Sequence, residues 1–310
     1  MTALKVLTPV TVTSAMLTSN VPEPATGDTP DPAAWAVGTT YALGARVHVA
    51  STHMIYESVQ AANLGNDPTT DTTSTWWVQV SATNRYRMFD QRNSSQTTRV
   101  GGIDVTVTPN DVCSGLALLN LSNVTSAVVT ITDPTEGTVY DQSHALQDPP
   151  TVGDYYEYCF DPIVMADSLV LTDLPSYRFA SIRVQFLAGV ADVAGVGVMA
   201  LGRVREIGIG VQMGARVGIQ DYSRKEANAY GDYTIVQRAF SKRASIEMWV
   251  PRAQVDSVQN ALAALRATPA VWIANDYYKS LVVYGFYKDF DITIAYHDYS
   301  VLTATIEGLT

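Results

Sequence analysis

Five aromatic residues crowd one short stretch of the chain: Trp35, Tyr41, Tyr56, Trp76 and Trp77. Rings at this density do one of two things. They fill a small core, or they present flat apolar faces on which a sugar ring stacks while polar neighbours bind its hydroxyls. Trp76 and Trp77 are adjacent, and adjacent side chains on a strand point to opposite faces. The pair is therefore expected to divide, one ring closing a core and the other facing solvent, with Trp35 or Tyr56 adding to the same platform. Both readings stand on these residues alone.

Other candidate chemistry is thinner. The 4 histidines, His48, His53, His144 and His297, include no pair at helical spacing and no zinc motif. No Gly-x-Ser-x-Gly elbow and no phosphate loop ending in Gly-Lys-Ser/Thr is present. The run Gly208-Ile209-Gly210-Val211-Gln212-Met213-Gly214 has one residue too many for a dinucleotide fingerprint, and strand rather than helix should follow it. It reads as glycine in a strand or hairpin with close backbone packing. Asp67, Asp71, Asp289 and Asp291 read as loop and strand acids, and Asn66, Asp67 and Asp71 lack the full ligand pattern of a calcium loop. The basic run Ser241-Lys242-Arg243 reads as a solvated turn. Cys113 and Cys159 are isolated, which suits two small buried hydrophobes better than a bridge or a metal site. The expectation is a non-enzymatic chain with no catalytic residues, no metal and no cofactor.

The elements that must position the aromatic group follow from composition and pattern. Of 310 residues, 47% are hydrophobic and 16% charged, enough apolar material for real cores. Thr, Val and 17 Tyr favour β-sheet. No apolar run reaches the roughly 18 residues of a membrane-spanning helix. Met1-Thr2-Ala3-Leu4-Lys5 does not open a secretory signal. A net charge of -10 argues against a nucleic-acid footprint. Residues 201–310 hold 12 Lys and Arg against 11 Asp and Glu, so the first 200 residues hold 8 against 19. An acidic front half precedes a nearly neutral back part.

Residues 1–30 read as an N-terminal strand or arm followed by a linker, because the segment 20–34 holds four prolines. Residues 31–83 read as a compact aromatic-rich module of three short strands. Residues 84–200 read as a β-sandwich or jelly roll. Its strands are expected at Ile103–Val107, Gly115–Leu121, Ala127–Thr132, Tyr155–Phe160, Ser168–Leu171, Ser181–Phe186 and Val193–Ala200, separated by turn residues. Residues 201–310 read as an α+β domain with one helix over about Pro251–Ala267, where Val255, Val258, Leu262 and Leu265 recur at helical steps. Strands over Tyr233–Gln237, Ala244–Val250, Ala270–Ile273, Leu281–Phe286, Phe290–Ile294 and Val301–Ile306 surround it. The chain is thus mainly β and multidomain. The N-terminal strand pairs either with the sandwich or with the C-terminal domain, and the second arrangement makes the middle domains insertions.

Trp35, Tyr41, Gly44, Val47, Tyr56, Asn63, Pro68 and Trp76 together form a pattern that resembles the small chitin-binding type of carbohydrate-binding module, an appendage of chitinases and of phage tail proteins. The resemblance covers about 45 of the 310 residues. The segment between Val47 and Tyr56 is longer than that family's usual turn. The run Asn84-Arg85-Tyr86-Arg87-Met88-Phe89-Asp90 is similar to the start of galactose-binding-like jelly rolls found beside such modules. The order of parts resembles distal tail and baseplate proteins of tailed bacteriophages.

That resemblance implies a structural virion protein of the phage tail, assembled in the host cytoplasm. It implies a homo-oligomeric ring, other tail or baseplate proteins as partners, and contact with host cell-surface polysaccharide, with neither nucleic-acid binding nor membrane insertion. Trp35, Tyr41, Tyr56, Trp76 and Trp77 are then the carbohydrate-binding candidates, and residues 201–310 the ring contact. Two other readings stand beside it: a receptor-binding or tail-fibre protein whose main role is gripping glycans, and a glycan-degrading enzyme with an appended module.

Overall fold

The computed structural model describes residues 3–27, 30–148, 154–156, 164–227, 230–275, 278–294 and 296–309. The described residues are mainly β, in several sheets, with a short α-helix near the C-terminus. A five-stranded antiparallel sheet runs in the order Gly137–Ala145, Ser126–Asp133, Ser181–Leu187, Ile103–Val107, Leu17–Ser19. Strand Ser181–Leu187 alternates buried and exposed positions, the signature of one covered face. Its Ile182, Val184 and Phe186 pack with Val105, Val107, Val129 and Ile131 against Leu116, Leu118, Val196 and Leu201 of a second, larger sheet. These two faces make the sandwich.

The larger sheet has eleven strands. Its main path runs Ser168–Leu171, Gly115–Ser122, Val193–Ile207, Leu4–Pro9, Ala270–Ile273, Val282–Thr293, Tyr299–Gly308, Phe240–Pro251, Gly210–Val211. Strand Gly115–Ser122 is buried at nearly every position because both faces are covered. Leu116 and Leu118 face the sandwich core, while Ala117 and Leu119 join Leu7, Val198, Val271, Ile273 and Tyr284 on the other side.

The N-terminal strand takes the second of the two pairings left open by the sequence, since its partners on both sides lie in the 201–310 segment. Leu4 to Pro9 pair with Ile207 to Gly202 on one side, and Lys5 to Leu7 pair with Ile273 to Val271 on the other. Strand Val193–Ile207 runs unbroken through residue 200, so the 84–200 and 201–310 segments share one sheet. Leu4 and Val6 turn to the core beneath the helix, and Leu7 turns to the opposite face.

The helix spans Val255–Ala264, preceded by a 3-10 turn at Arg252–Gln254, and is shorter at both ends than the periodicity suggests. Pro251 closes strand Phe240–Pro251 instead of opening the helix, and Ala267 adopts a left-handed φ of 56° beyond its end. Val258 and Leu262 bury against Ile246, Met248, Trp272 and Leu302. The strand expected over Tyr155–Phe160 falls mostly outside the described residues, and Cys159 with it. Cys113 is buried in the sandwich core, and burial, aided by the Asp111 charge, pushes its thiol up to about 11.

Candidate functional site

The aromatic module is built on three strands, Arg46–Val49, Met54–Ser58 and Trp77–Ala82, with a short pair between Thr40–Tyr41 and Asn63–Leu64. Its core is Val47, Tyr56 and Trp77, with Trp35, Tyr41 and Trp76 packed around it. A module this small buries little surface, so large rings must supply the burial. Trp77 is 1% exposed and Tyr56 9%. Trp77 donates from Nε1 to the Asn66 carbonyl at 2.9 Å, and Tyr41 meets it edge-on with ring centroids 5.2 Å apart. The Tyr41 hydroxyl accepts the Ala36 amide at 2.8 Å.

All five sugar-binding candidates thus meet in one cluster, but not on one surface. Tyr56 and Trp77 are interior and offer no ring face to a ligand. Trp35, Tyr41 and Trp76 are half-buried and keep part of their rings in solvent. The adjacent tryptophans divide as their spacing predicts, Trp77 inward and Trp76 partly outward. The Trp35 indole Nε1 is buried without a hydrogen-bond partner. Val37, Leu43 and Leu64 are exposed on the same module.

The loop before Trp76 is fixed by Asp71. Its carboxylate accepts the amides of Thr75, Trp76 and Trp77 at 3.0, 2.6 and 2.8 Å. Burial alone would push this carboxyl up, yet the three amides and the Thr73 hydroxyl outweigh it and hold the group below the ordinary carboxylate range. Asp67 accepts the amide and hydroxyl of Thr69, and Asn66 donates to Asn63. These oxygens organise the loop itself. Among the described residues, no three His, Cys, Asp or Glu side chains come together as a metal site.

The four histidines have unrelated surroundings. His48 is buried and contacts the Pro32 carbonyl, His53 pairs with Glu23, His144 lies 3.2 Å from the Tyr140 hydroxyl, and His297 is exposed. The glycine run is structural. Gly208 has a φ of 70°, and a Cβ there would stand 2.6 Å from the Trp249 carbonyl oxygen.

The proline-rich linker is clamped where the module leaves the sandwich. Asp31 accepts the Ala25 amide at 2.7 Å and the Asn84 amide at 3.0 Å, so one carboxylate joins the chain entering the module to the chain leaving it. Glu23 adds a second clasp, accepting from Thr83 at 2.7 Å and meeting His53 at 2.9 Å. His53 in turn stacks on Tyr86, with ring centroids 3.9 Å apart.

The strands expected after Gly214 and over Tyr233–Gln237 form at Arg216–Asp221 and Tyr233–Val236, but they stand apart from the helix as an exposed ribbon. Strand Arg216–Asp221 pairs with Phe240–Ser245, and the ribbon continues as Arg224–Ala227 paired with Tyr233–Val236. Every residue of these three outer strands is exposed, with Ile219 at 66% and Tyr233 at 70%. Tyr222, Ile235 and Phe240 are exposed on the same ribbon. The alternation of polar and apolar residues in 216–240 announces strands, but nothing local says that no core covers them. Elsewhere, Trp249, Tyr296 and Tyr299 cluster with centroids 4.1 to 6.0 Å apart.

No protein-family model matches the chain, and no curated protein matches it.

Proposed function

We propose that the protein is a non-enzymatic structural subunit of a phage tail tip or baseplate, resembling distal tail proteins, that assembles with copies of itself into a ring and with neighbouring tail proteins in the virion. The observation that carries the self-assembly is the ribbon of residues 216–243. A two-stranded hairpin alone is marginal in water, and one exposing Ile219, Tyr222, Tyr233, Ile235 and Phe240 gains stability by covering them. The phage setting rests on the resemblance of the aromatic module and on the order of parts along the chain.

The second role is attachment. The half-exposed rings of Trp35, Tyr41 and Trp76 stack on the pyranose rings of host surface polysaccharide, with Tyr56 and Trp77 as the core that supports them. A receptor-binding protein whose main task is glycan binding is the alternative that these three rings favour.

The test is the mass of the purified full chain in solution, followed by light scattering over a range of concentration and with tail partners added. A closed ring, alone or templated, is expected. Replacing residues 222–239 by Asn-Gly keeps the paired ends Asp221 and Phe240 together and is expected to weaken self-association at least about tenfold, or about 1.4 kcal/mol. A chain that is monomeric at every concentration and with every partner overturns the ring.

A further inference from the structure

Among the described residues, two of the open strand edges at the margins of the two large sheets are the longest, the others having four residues or fewer. One is the outer edge of Gly137–Ala145, the last strand of the five-stranded sheet. The other is the outer edge of Arg216–Asp221, which pairs only with Phe240–Pro251 in the larger sheet. An open edge presents a row of N–H and C=O groups that accept a further strand, and proteins protect such edges with Lys, Pro or short length. Gly137–Ala145 is nine residues long and contains no Lys, Arg or Pro. Arg216–Asp221 is six residues long and exposes Val217 and Ile219.

The surroundings of the two edges carry opposite charge. Residues 133–145 hold Asp133, Glu136 and Asp141 and no Lys or Arg, whereas residues 216–243 hold six Lys and Arg against three Asp and Glu. Pairing the first edge with a copy of itself sets acid against acid, which is unfavourable across strands. Pairing it with the second sets acid against base, which guides encounter and fixes register. The two edges belong to different sheets, so their contact joins different surfaces of two copies. Such a head-to-tail contact repeats from copy to copy and closes a ring where the rotation allows.

We infer that Arg216–Asp221 of one copy adds as a strand to the free edge of Gly137–Ala145 in the next, making one continuous sheet across the subunit boundary. Backbone hydrogen bonds supply the affinity of such strand addition, and alternate side chains its specificity. The inference rests on the self-assembly reading above and names its contact.

The test uses the full chain and light scattering over a concentration series. Ser143→Pro breaks the acidic edge and leaves the basic one, and Ile219→Pro does the reverse. Each variant alone is expected to shift the wild-type multimer to monomer. An equimolar mixture is expected to form a dimer and nothing larger, because one intact edge of each kind remains in the pair. Circular dichroism checks the fold. Where a proline variant is unfolded, Ser143→Lys or Ile219→Asp takes its place, since each sets like charge against like across the contact. Raising salt from about 50 to about 500 mM is expected to weaken the wild-type multimer, because exposed charges are screened. A wild-type multimer that survives both variants overturns the edge contact and leaves self-assembly standing. A wild-type chain that is always monomeric overturns both. Dissociation by the Ser143 variant alone, with the Ile219 variant still multimeric, marks self-paired acidic edges and overturns the head-to-tail contact.

Discussion

Two adjacent tryptophans in the module have opposite duties. Trp77 is enclosed by Val47, Tyr56 and Tyr41, so Trp77→Ala leaves a cavity and should destabilise the module by about 3–5 kcal/mol. Trp76 keeps part of its ring in solvent, so Trp76→Ala should cost less stability and abolish retention on insoluble chitin. A thermal melt and a chitin pull-down on both variants separate the two effects, and retention undiminished in a folded Trp76→Ala protein removes that ring from the proposed glycan site. Asp71 supports both residues through their amides. Its carboxyl is held below the ordinary range, so its contribution is complete above that range and is lost as pH falls through the depressed value. Asp71→Asn should therefore lower module stability at neutral pH and flatten its decline in acid. Denaturant melts from neutral to acidic pH check this, and an unchanged acid limb would show that Asp71 carries no such linkage.

At the scale of elements, the neck between module and sandwich decides whether residues 20–34 behave as a tether or as a joint. Asp31 holds Ala25 and Asn84 together, and Val21, Ala25 and Thr83 are buried beside it. Asp31→Ala should open this clasp, and limited proteolysis should then cut within residues 20–34 faster than in the parent while the sandwich stays intact. Equal cleavage rates would mean that Glu23 and its partners hold the neck without Asp31. Proline content predicts that this segment is neither helix nor central strand, which holds for its described residues, but its composition says nothing of the two carboxylates that pin it. The same limit applies across the chain. Strands Ile103–Val107, Ser168–Leu171 and Ala270–Ile273 match the alternation and β-branched content of their residues at both ends. Strand Gly137–Ala145 is exposed along most of its length and carries no comparable apolar signal. Strand Val193–Ile207 outruns its expected end because Gly202 to Ile207 pair with residues near the N-terminus, a contact between distant segments that no local pattern encodes. The candidate site divides in the same way. That the rings of 35–77 gather was legible from their spacing, while which of them reach solvent depends on how the Asp71 loop and the Tyr41 turn fold over Trp77.

For the whole molecule, the shared sheet sets how the chain unfolds. The sandwich core and the core beneath the helix lie on one eleven-stranded sheet, and Leu4–Pro9 is the strand that joins their halves. Neither half keeps its edge covered when that strand is lost, so the two should unfold together. The module has its own core, joined to the rest through the neck, and should melt separately. Calorimetry of the full chain should then show a minor transition for the module and a single major one for everything else. Leu7 is 1% exposed on the face where Val198, Val271 and Tyr284 meet, so Leu7→Ala should lower the major transition by about 2–5 kcal/mol of stability without splitting it. Trp77→Ala should move only the minor one. A major transition that splits in Leu7→Ala would mean that the halves fold independently and merely abut at the strand. A single undivided transition also bears on assembly, because the two open edges, Gly137–Ala145 on the five-stranded sheet and Arg216–Asp221 on the eleven-stranded one, then belong to one cooperative unit that holds them at a fixed spacing, and a fixed spacing is what lets a head-to-tail contact repeat with constant rotation.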